Sequence, residues 1–313
     1  AGVAAQVAKM AGVVSVQRDE EQELTTDNGP GWIGAPGIWD GSGTGSLGST
    51  QGEGMLVGII DTGINPSNPS FAGVGPIDGY AHVNPYGSGN YTPGSYCDTV
   101  DPTFCNDKLI GAWGYPTVNG GDPTDNNGHG SHTASTAAGN VVTATVIAPT
   151  TTITRTISGV APHANIIAYS ACCTLSALTA AIDQIIVDQV DVVNYSIGSI
   201  GCSPSDIWND FDTVGFLNAR NAGIFVATSA GNCGPGAQTV GSPADAPWLT
   251  AVAAITHHRQ ISNVLANMSG GKTTRASVCG AVRRANRYDT VKRKIVQATV
   301  IEYQIGFATS TDR

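Results

Sequence analysis

Five apolar runs punctuate the chain: "GMLVGIID" (54–61), "ANIIAYS" (164–170), "VDVVNYS" (190–196), "GIFVATS" (223–229) and "LTAVAAI" (249–255). They are continuous rather than alternating, and several end on a polar residue, as strands buried on both faces do. Between them lie "SALTAAIDQIIVDQ" (176–189) and "SDIWNDFDTVGFLNARNAG" (205–223), whose apolar positions recur at helical spacing. Strands alternating with helices predict an α/β protein, a doubly wound, mostly parallel sheet with helices on both faces. Ligand sites in such sheets lie outside the carboxyl ends of the strands. That rule singles out Asp61, Ser196 and Asn232, each at or just past such an end.

Other stretches break the pattern. "AAQVAKMAG" predicts a short helix and "VVSV" a strand, followed by the acidic "RDEEQE". The next stretch, "LTTDNGPGWIGAPGIWDGSGTGSLGSTQGEG", is too rich in Gly for regular structure, so residues 1–26 read as the end of a separate module with its linker. Residues 66–124 are rich in Gly, Pro, Asn and Tyr and read as a loop-rich surface insertion.

Composition adds a boundary. Residues 1–271 carry a net charge of −15, whereas 272–313 carry +6. Such a shift marks a junction. A nucleic-acid arm is one reading of the basic tail; a solvated face, or a tail foreign to the fold, is the reading preferred, and no nucleic-acid partner is expected. No apolar run reaches the length of a membrane span. The seven cysteines show no metal-type spacing. Cys97 and Cys105 flank a short polar loop and suit a local disulfide, Cys202 and Cys233 pair if their loops meet, and at least one of Cys172 and Cys173 is expected as a buried thiol. An oxidising compartment follows from that usage.

The segment "DNNGHGSHTASTAAG" (125–139) holds the two histidines of greatest chemical interest. His129 opens a small-residue run suited to a helix packed closely on a sheet. A helix N-terminus is electropositive and disfavours an extra proton there, as a general base requires. A zinc pair made with His132 would need a third ligand and the Glu of H-E-x-x-H, but Gly and Ser stand between these histidines. His132 is therefore read as a structural residue of the helix. Asp61, alone a turn or cap residue, could fix the tautomer of a neutral histidine and stabilise its imidazolium. Asn232, in the Gly-flanked turn of "ATSAGNCGPG", could donate its amide to a developing oxyanion.

Together "IIDTGIN", "NNGHGSHTAS", "NYSIG" and "ATSAGN" resemble, in order and context, the motifs of the subtilisin-like serine proteases over about residues 27–262. The resemblance implies a subtilisin-like fold and peptide-bond hydrolysis, with Asp61 orienting His129, His129 as general base and Asn232 as oxyanion donor. One such donor is worth about 2.7–4 kcal/mol, a value that comes from this family. It also implies that Ser196, Ile197 and Gly198 form the edge on which an extended polypeptide substrate pairs. "PGAQTVGSPADAPWLTAVAAITHHR" looks like the larger secreted members, many of which carry a protease-associated domain inserted after this point. Residues 1–26 resemble the end of the inhibitory propeptide, which would be a further partner, with maturation near 24–27. Calcium is common among the relatives, but no loop has enough spaced carboxylates to assign ligands, so no cofactor is expected.

The same resemblance exposes a gap. Family members complete the triad with a serine in a G-T-S-M-A-type motif opening a buried helix, in the order Asp, His, Ser. "GTGS" at 43–46 lies upstream of Asp61, and neither "NMSGG" at 267–271 nor "TRASVCG" is followed by a small-residue helix. The expectation is a partial catalytic domain (27–262) with an incomplete C-terminal part, no nucleophile, and a tail at 263–313 that is the start of an inserted domain or out-of-frame sequence. Loss of that serine costs roughly 10⁶-fold in turnover, again a subtilisin value, so the chain as written is expected to be inactive. The alternative is a non-catalytic peptide-binding homologue using the Ser196 edge.

Overall fold

The computed structural model describes residues 29–148, 151–202 and 206–254, and the backbone of 262–265 and 276–279. The helix and strand expected within 1–26 lie outside the described residues. In chain order the strands are β1 (Leu56–Asp61), β2 (Leu109–Gly114), β3 (Val142–Ala148), β4 (Thr151–Ile157), β5 (Asn165–Ser170), β6 (Val192–Tyr195), β7 (Phe225–Ser229), β8 (Thr250–Val252), β9 (Ser262–Leu265) and β10 (Ala276–Cys279). The longer helices are α1 (His129–Ala138), α2 (Leu175–Val187) and α3 (Phe211–Asn221).

Six strands form one sheet in the order β2-β5-β1-β6-β7-β8, and every pair is parallel. Side chains alternate across a strand, and β1 shows it: Ile60 packs on one face, Val57 and Ile59 on the other. The first face carries Ile167, Tyr169, Val193, Tyr195 and Val226 and is covered by Leu178, Ile182 and Ile185 of α2 and Phe216 of α3. The second carries Ile166 and Ala168 and is covered by Ala134 and Ala138 of α1. Burying an Ile or Phe side chain contributes about 1.5–3 kcal/mol, so these two layers dominate the fold. The architecture is α/β, with helices on both faces of a parallel sheet.

Residues 66–124 correct the expectation of a surface insertion. They are loop-rich, but they include β2, the strand at one end of the main sheet, and they bury Phe71, Cys97, Phe104, Leu109 and Ala112 in the second layer. The Gly-rich stretch after residue 28 holds two single-turn helices, Gly29–Trp32 and Ala35–Trp39, the latter with Pro in its first turn. β3 and β4 pair antiparallel, from Val142 opposite Ile157 to Ala148 opposite Thr151. β9 and β10 form a separate antiparallel ribbon, with Ala276 opposite Leu265.

Disulfides join Cys97 to Cys105 and Cys202 to Cys233, with Cα–Cα distances of 5.8 and 6.0 Å. Cys172 is bonded to Cys173, and neither is buried. The expectation of a buried thiol there fails because the two residues lie past β5, in the turn leading out to α2.

Candidate active site

Asp61 is the last residue of β1 and is 1% exposed. Its main-chain carbonyl accepts from Ala171 N and Cys172 N, each at 3.0 Å, which ties the end of β1 to the turn after β5. The side chain is then held at three points. Thr62 N donates to Oδ1 at 2.7 Å, Thr133 Oγ1 donates to Oδ2 at 3.0 Å, and His129 Nδ1 lies 2.7 Å from Oδ1. A carboxylate accepts only, so the ring nitrogen facing it carries the proton.

His129 is the first residue of α1, and its side chain is 49% exposed. The hydrogen bond from Nδ1 to Asp61 raises its proton affinity, burial opposes that, and the charges of Asp61 and Asp125 add to the rise. The net direction is upward. That direction, set by the Asp61 hydrogen bond and the charges of Asp61 and Asp125 against burial, is opposite to the one expected from the helix end alone. In the neutral ring, with Nδ1–H committed to Asp61, Nε2 is the unprotonated nitrogen and can accept a proton.

The N-terminus of α1 is capped from a distance. Gly128, with φ +95, precedes the helix and has no side chain to cap it. Instead Thr62 Oγ1 accepts from Gly130 N at 2.8 Å, and Asp125 Oδ2 accepts from Ser131 N at 2.8 Å. These bonds satisfy backbone donors that the first turn of a helix leaves without partners. A Cβ on Gly130 would collide with the Gly63 carbonyl, so only glycine allows α1 to sit this close to the end of β1. His132, in the same helix, is half-buried, and burial followed by the His129 charge lowers its proton affinity.

The other expected residues lie at the same, carboxyl, end of the sheet's strands. Ile60 is in register with Tyr195 and Tyr195 with Thr228, so the ends of β1, β6 and β7 are level. Ser196 follows β6, and its Oγ accepts from Asn194 Nδ2 at 3.0 Å. Ile197 packs against the first core layer. A Cβ on Gly198 would lie 3.1 Å from the Ser242 carbonyl, the same carbonyl that accepts from Ser199 N at 2.9 Å. Asn232 is exposed in the bend after β7, between Gly231 (φ +87) and the disulfide-bonded Cys233. Asp61 and His129 are thus in direct contact, while Ser196 to Gly198 and Asn232 stand at the ends of the neighbouring strands.

Sequence reasoning missed Thr62, Asp125 and Thr133. A signal existed for Asp125, because an Asp shortly before a Gly-flanked helix start is a capping or turn residue. Thr133 lies four residues after His129, on the same helical face.

The site is an imidazole oriented by a buried carboxylate at the carboxyl end of a parallel sheet in an α/β fold. The chain belongs to the subtilase family, the peptidase S8 family, whose profile matches residues 52–292. It is similar to the subtilisin-like protease SBT1.4 of Arabidopsis thaliana, with 36% identity over 277 residues, covering 80% of this chain and 32% of that protein. It is also similar to the subtilisin-like protease SBT2.6 of Arabidopsis thaliana, with 35% identity over 285 residues, covering 83% and 33%. The chain therefore spans about a third of the length of the curated relatives it matches. Among solved structures, that of the prenylagaramide maturation protease PagA aligns at a TM-score of 0.38 and 17% identity, covering 70% of this chain and 57% of that one. No helix among the described residues is long and apolar enough to cross a membrane.

Proposed function

We propose that this chain carries the acid–base half of a secreted serine endopeptidase acting on polypeptides. Asp61 orients His129, and His129 Nε2 takes the proton of a serine hydroxyl as it attacks the scissile carbonyl. Asn232 then donates to the oxyanion that forms, and the main chain at Ser196, Ile197 and Gly198 pairs with the extended substrate. The observation that carries this reading is the 2.7 Å contact between His129 Nδ1 and a carboxylate buried at the end of β1. The imidazolium formed on proton transfer is stabilised by that carboxylate. Three disulfides support an oxidising, extracellular setting.

Residues 1–26 are the end of an inhibitory propeptide in this reading, and residues 27–262 are a partial catalytic domain. No G-T-S-M-A-type motif follows Asn232 in the sequence to residue 313, so in this reading the nucleophile is not supplied by these residues and they do not turn over peptides by themselves. Fluorophosphonate labelling of the whole gene's product tests the proposal. A single labelled serine is expected, with labelling lost in Asp61→Ala and His129→Ala variants. A product with no labelled serine would leave a peptide-binding homologue.

A further inference from the structure

The Asp61–His129 contact requires two chain segments to meet in a defined register. Asp61 ends a strand and His129 begins a helix 68 residues later. The link between them is a second carboxylate, Asp125, which faces the same helix turn. Its Oδ1 accepts from Thr62 Oγ1 at 2.9 Å, Asn127 N at 3.0 Å and Gly128 N at 2.8 Å. Its Oδ2 accepts from Ser131 N at 2.8 Å and Ser131 Oγ at 2.7 Å. Thr62 stands between the two acids. Its main-chain N–H donates to Asp61, its hydroxyl donates to Asp125, and the same oxygen accepts from Gly130 N. Asp125 N also donates to the Ile64 carbonyl, and Ser131 Oγ accepts from Asn65 N, so both ends of the turn are fastened to the segment after β1.

Asp125 has no contact with the imidazole among these bonds, yet every one lies within four residues of His129 or Asp61. Burial works against its charge, and the bonds from Ser131, Gly128 and Asn127 more than reverse that, so it is held ionised. An anion at the N-terminus of a helix also opposes the partial positive charge of the exposed N–H groups. That positive end otherwise disfavours protonation of a histidine at the first helical position.

We propose that Asp125, acting through Thr62 and the first turn of α1, is the positioning residue that sets the His129 ring against Asp61 and offsets the positive helix end beneath it. The proposal rests on the acid–base reading of Asp61 and His129 given above. It assigns the charge to Asp125 and the mechanical link to Thr62, so the two have separable consequences. Asp125→Asn keeps the shape but removes the charge and one acceptor. Thr62→Val keeps the charge but cuts the bridge, and Thr62→Ser retains it.

The test uses ¹⁵N-labelled full chain. It follows the His129 ring nitrogens, the low-field Nδ1 proton and the titration midpoint, with the amide spectrum as the check on folding. The titratable neighbours named by the structure are Asp61, Asp125 and His132. Asp125→Asn is expected to lower the midpoint and broaden or lose the Nδ1 proton. Thr62→Val is expected to lose that proton, and Thr62→Ser to restore it. A structural cap alone would leave midpoint and proton unchanged in any variant that folds, and that result overturns the proposal. Should Asp125→Asn not fold, the Thr62 pair decides, since an unchanged Nδ1 proton in Thr62→Val is equally fatal. Asp61→Asn separates the premise from the inference. If it leaves His129 unchanged, the acid–base reading itself fails; if it abolishes the Nδ1 proton while the Asp125 and Thr62 variants do not, only the positioning role falls.

Discussion

At the scale of single residues, the site depends on keeping a buried carboxylate fully partnered. Asp61 is 1% exposed, and each oxygen has a donor: Thr62 N and His129 Nδ1 on Oδ1, Thr133 Oγ1 on Oδ2. Removing the Thr133 hydroxyl leaves Oδ2 without that donor. An unsatisfied buried acceptor costs about 1–3 kcal/mol, so Thr133→Val is expected to destabilise by that amount in urea melts, with Thr133→Ser close to the parent. The histidine makes a pH-dependent contribution. Its proton affinity is raised in the folded state, first by the Asp61 hydrogen bond. The unfolded chain therefore binds fewer protons near neutrality, and the stabilisation is present below the ordinary histidine value of 6.5 and lost as pH rises through the raised one. Urea midpoints of the parent and a His129→Gln variant are expected to differ more on the acid side than on the alkaline side. A pH-independent difference would contradict the assignment of the charged pair.

At the scale of elements, the site is a junction between the end of β1 and the start of α1, and glycines permit it. A Cβ at Gly130 meets the Gly63 carbonyl, and one at Gly63 meets Pro123 O at 2.6 Å with the backbone at φ +124. Neither neighbour is a side chain that can swing aside. Gly130→Ala is expected to cost at least the roughly 1–3 kcal/mol of an overpacked core and to displace α1, read as a lower melting temperature together with loss of the His129 Nδ1 proton. Much of this junction was legible in the sequence. The continuous run "MLVGII" announces a doubly buried strand, and Asp61 follows it where a parallel sheet presents its ligands. β2 was not legible, because "LIGAW" is a short run among Gly, Pro and Asn and closes the sheet only through its pairing with β5. The Asp125 bridge was equally hidden. Its Asp is visible, but the partner Thr62 is 63 residues away, and no local spacing rule connects the two.

At the scale of the molecule, the two ends of the sheet are built from different chemistry, and the pH profile of stability should show both. At the end opposite the site, before β1 and β5, His163 lies between two carboxylates, with Nδ1 2.6 Å from Glu53 and Nε2 3.2 Å from Asp78, and Tyr80 stacked on its ring at 3.7 Å. Burial raises the Glu53 carboxyl, but the bonds from His163, Gln51 and Thr50 reverse this and hold it at about 2. That contribution is complete above the ordinary value of 4.5 and is lost as pH falls towards about 2, so Glu53→Gln is expected to flatten the acid limb of a urea-midpoint profile. Lys108 acts at the other extreme. It is fully buried, its Nζ donates to the carbonyls of Pro162 at 2.8 Å and Ala164 at 3.1 Å, and burial lowers its pKa from 10.5 to about 7. Between those two values the unfolded chain carries a proton that the folded chain does not, so stability rises with pH across that window. Because one pKa unit corresponds to about 1.4 kcal/mol, the rise is of the order of a few kcal/mol. Lys108→Met removes the ionisable group while filling similar space, and replacing a buried charge by an apolar side chain is often neutral or stabilising. The variant is expected to equal or exceed the parent near neutral pH and to show no rise towards alkaline pH. A parent profile that is flat between pH 7 and 10.5 would mean that Lys108 keeps its proton in the folded core, its charge compensated by the carbonyls of Pro162 and Ala164 and by the charge of Asp78.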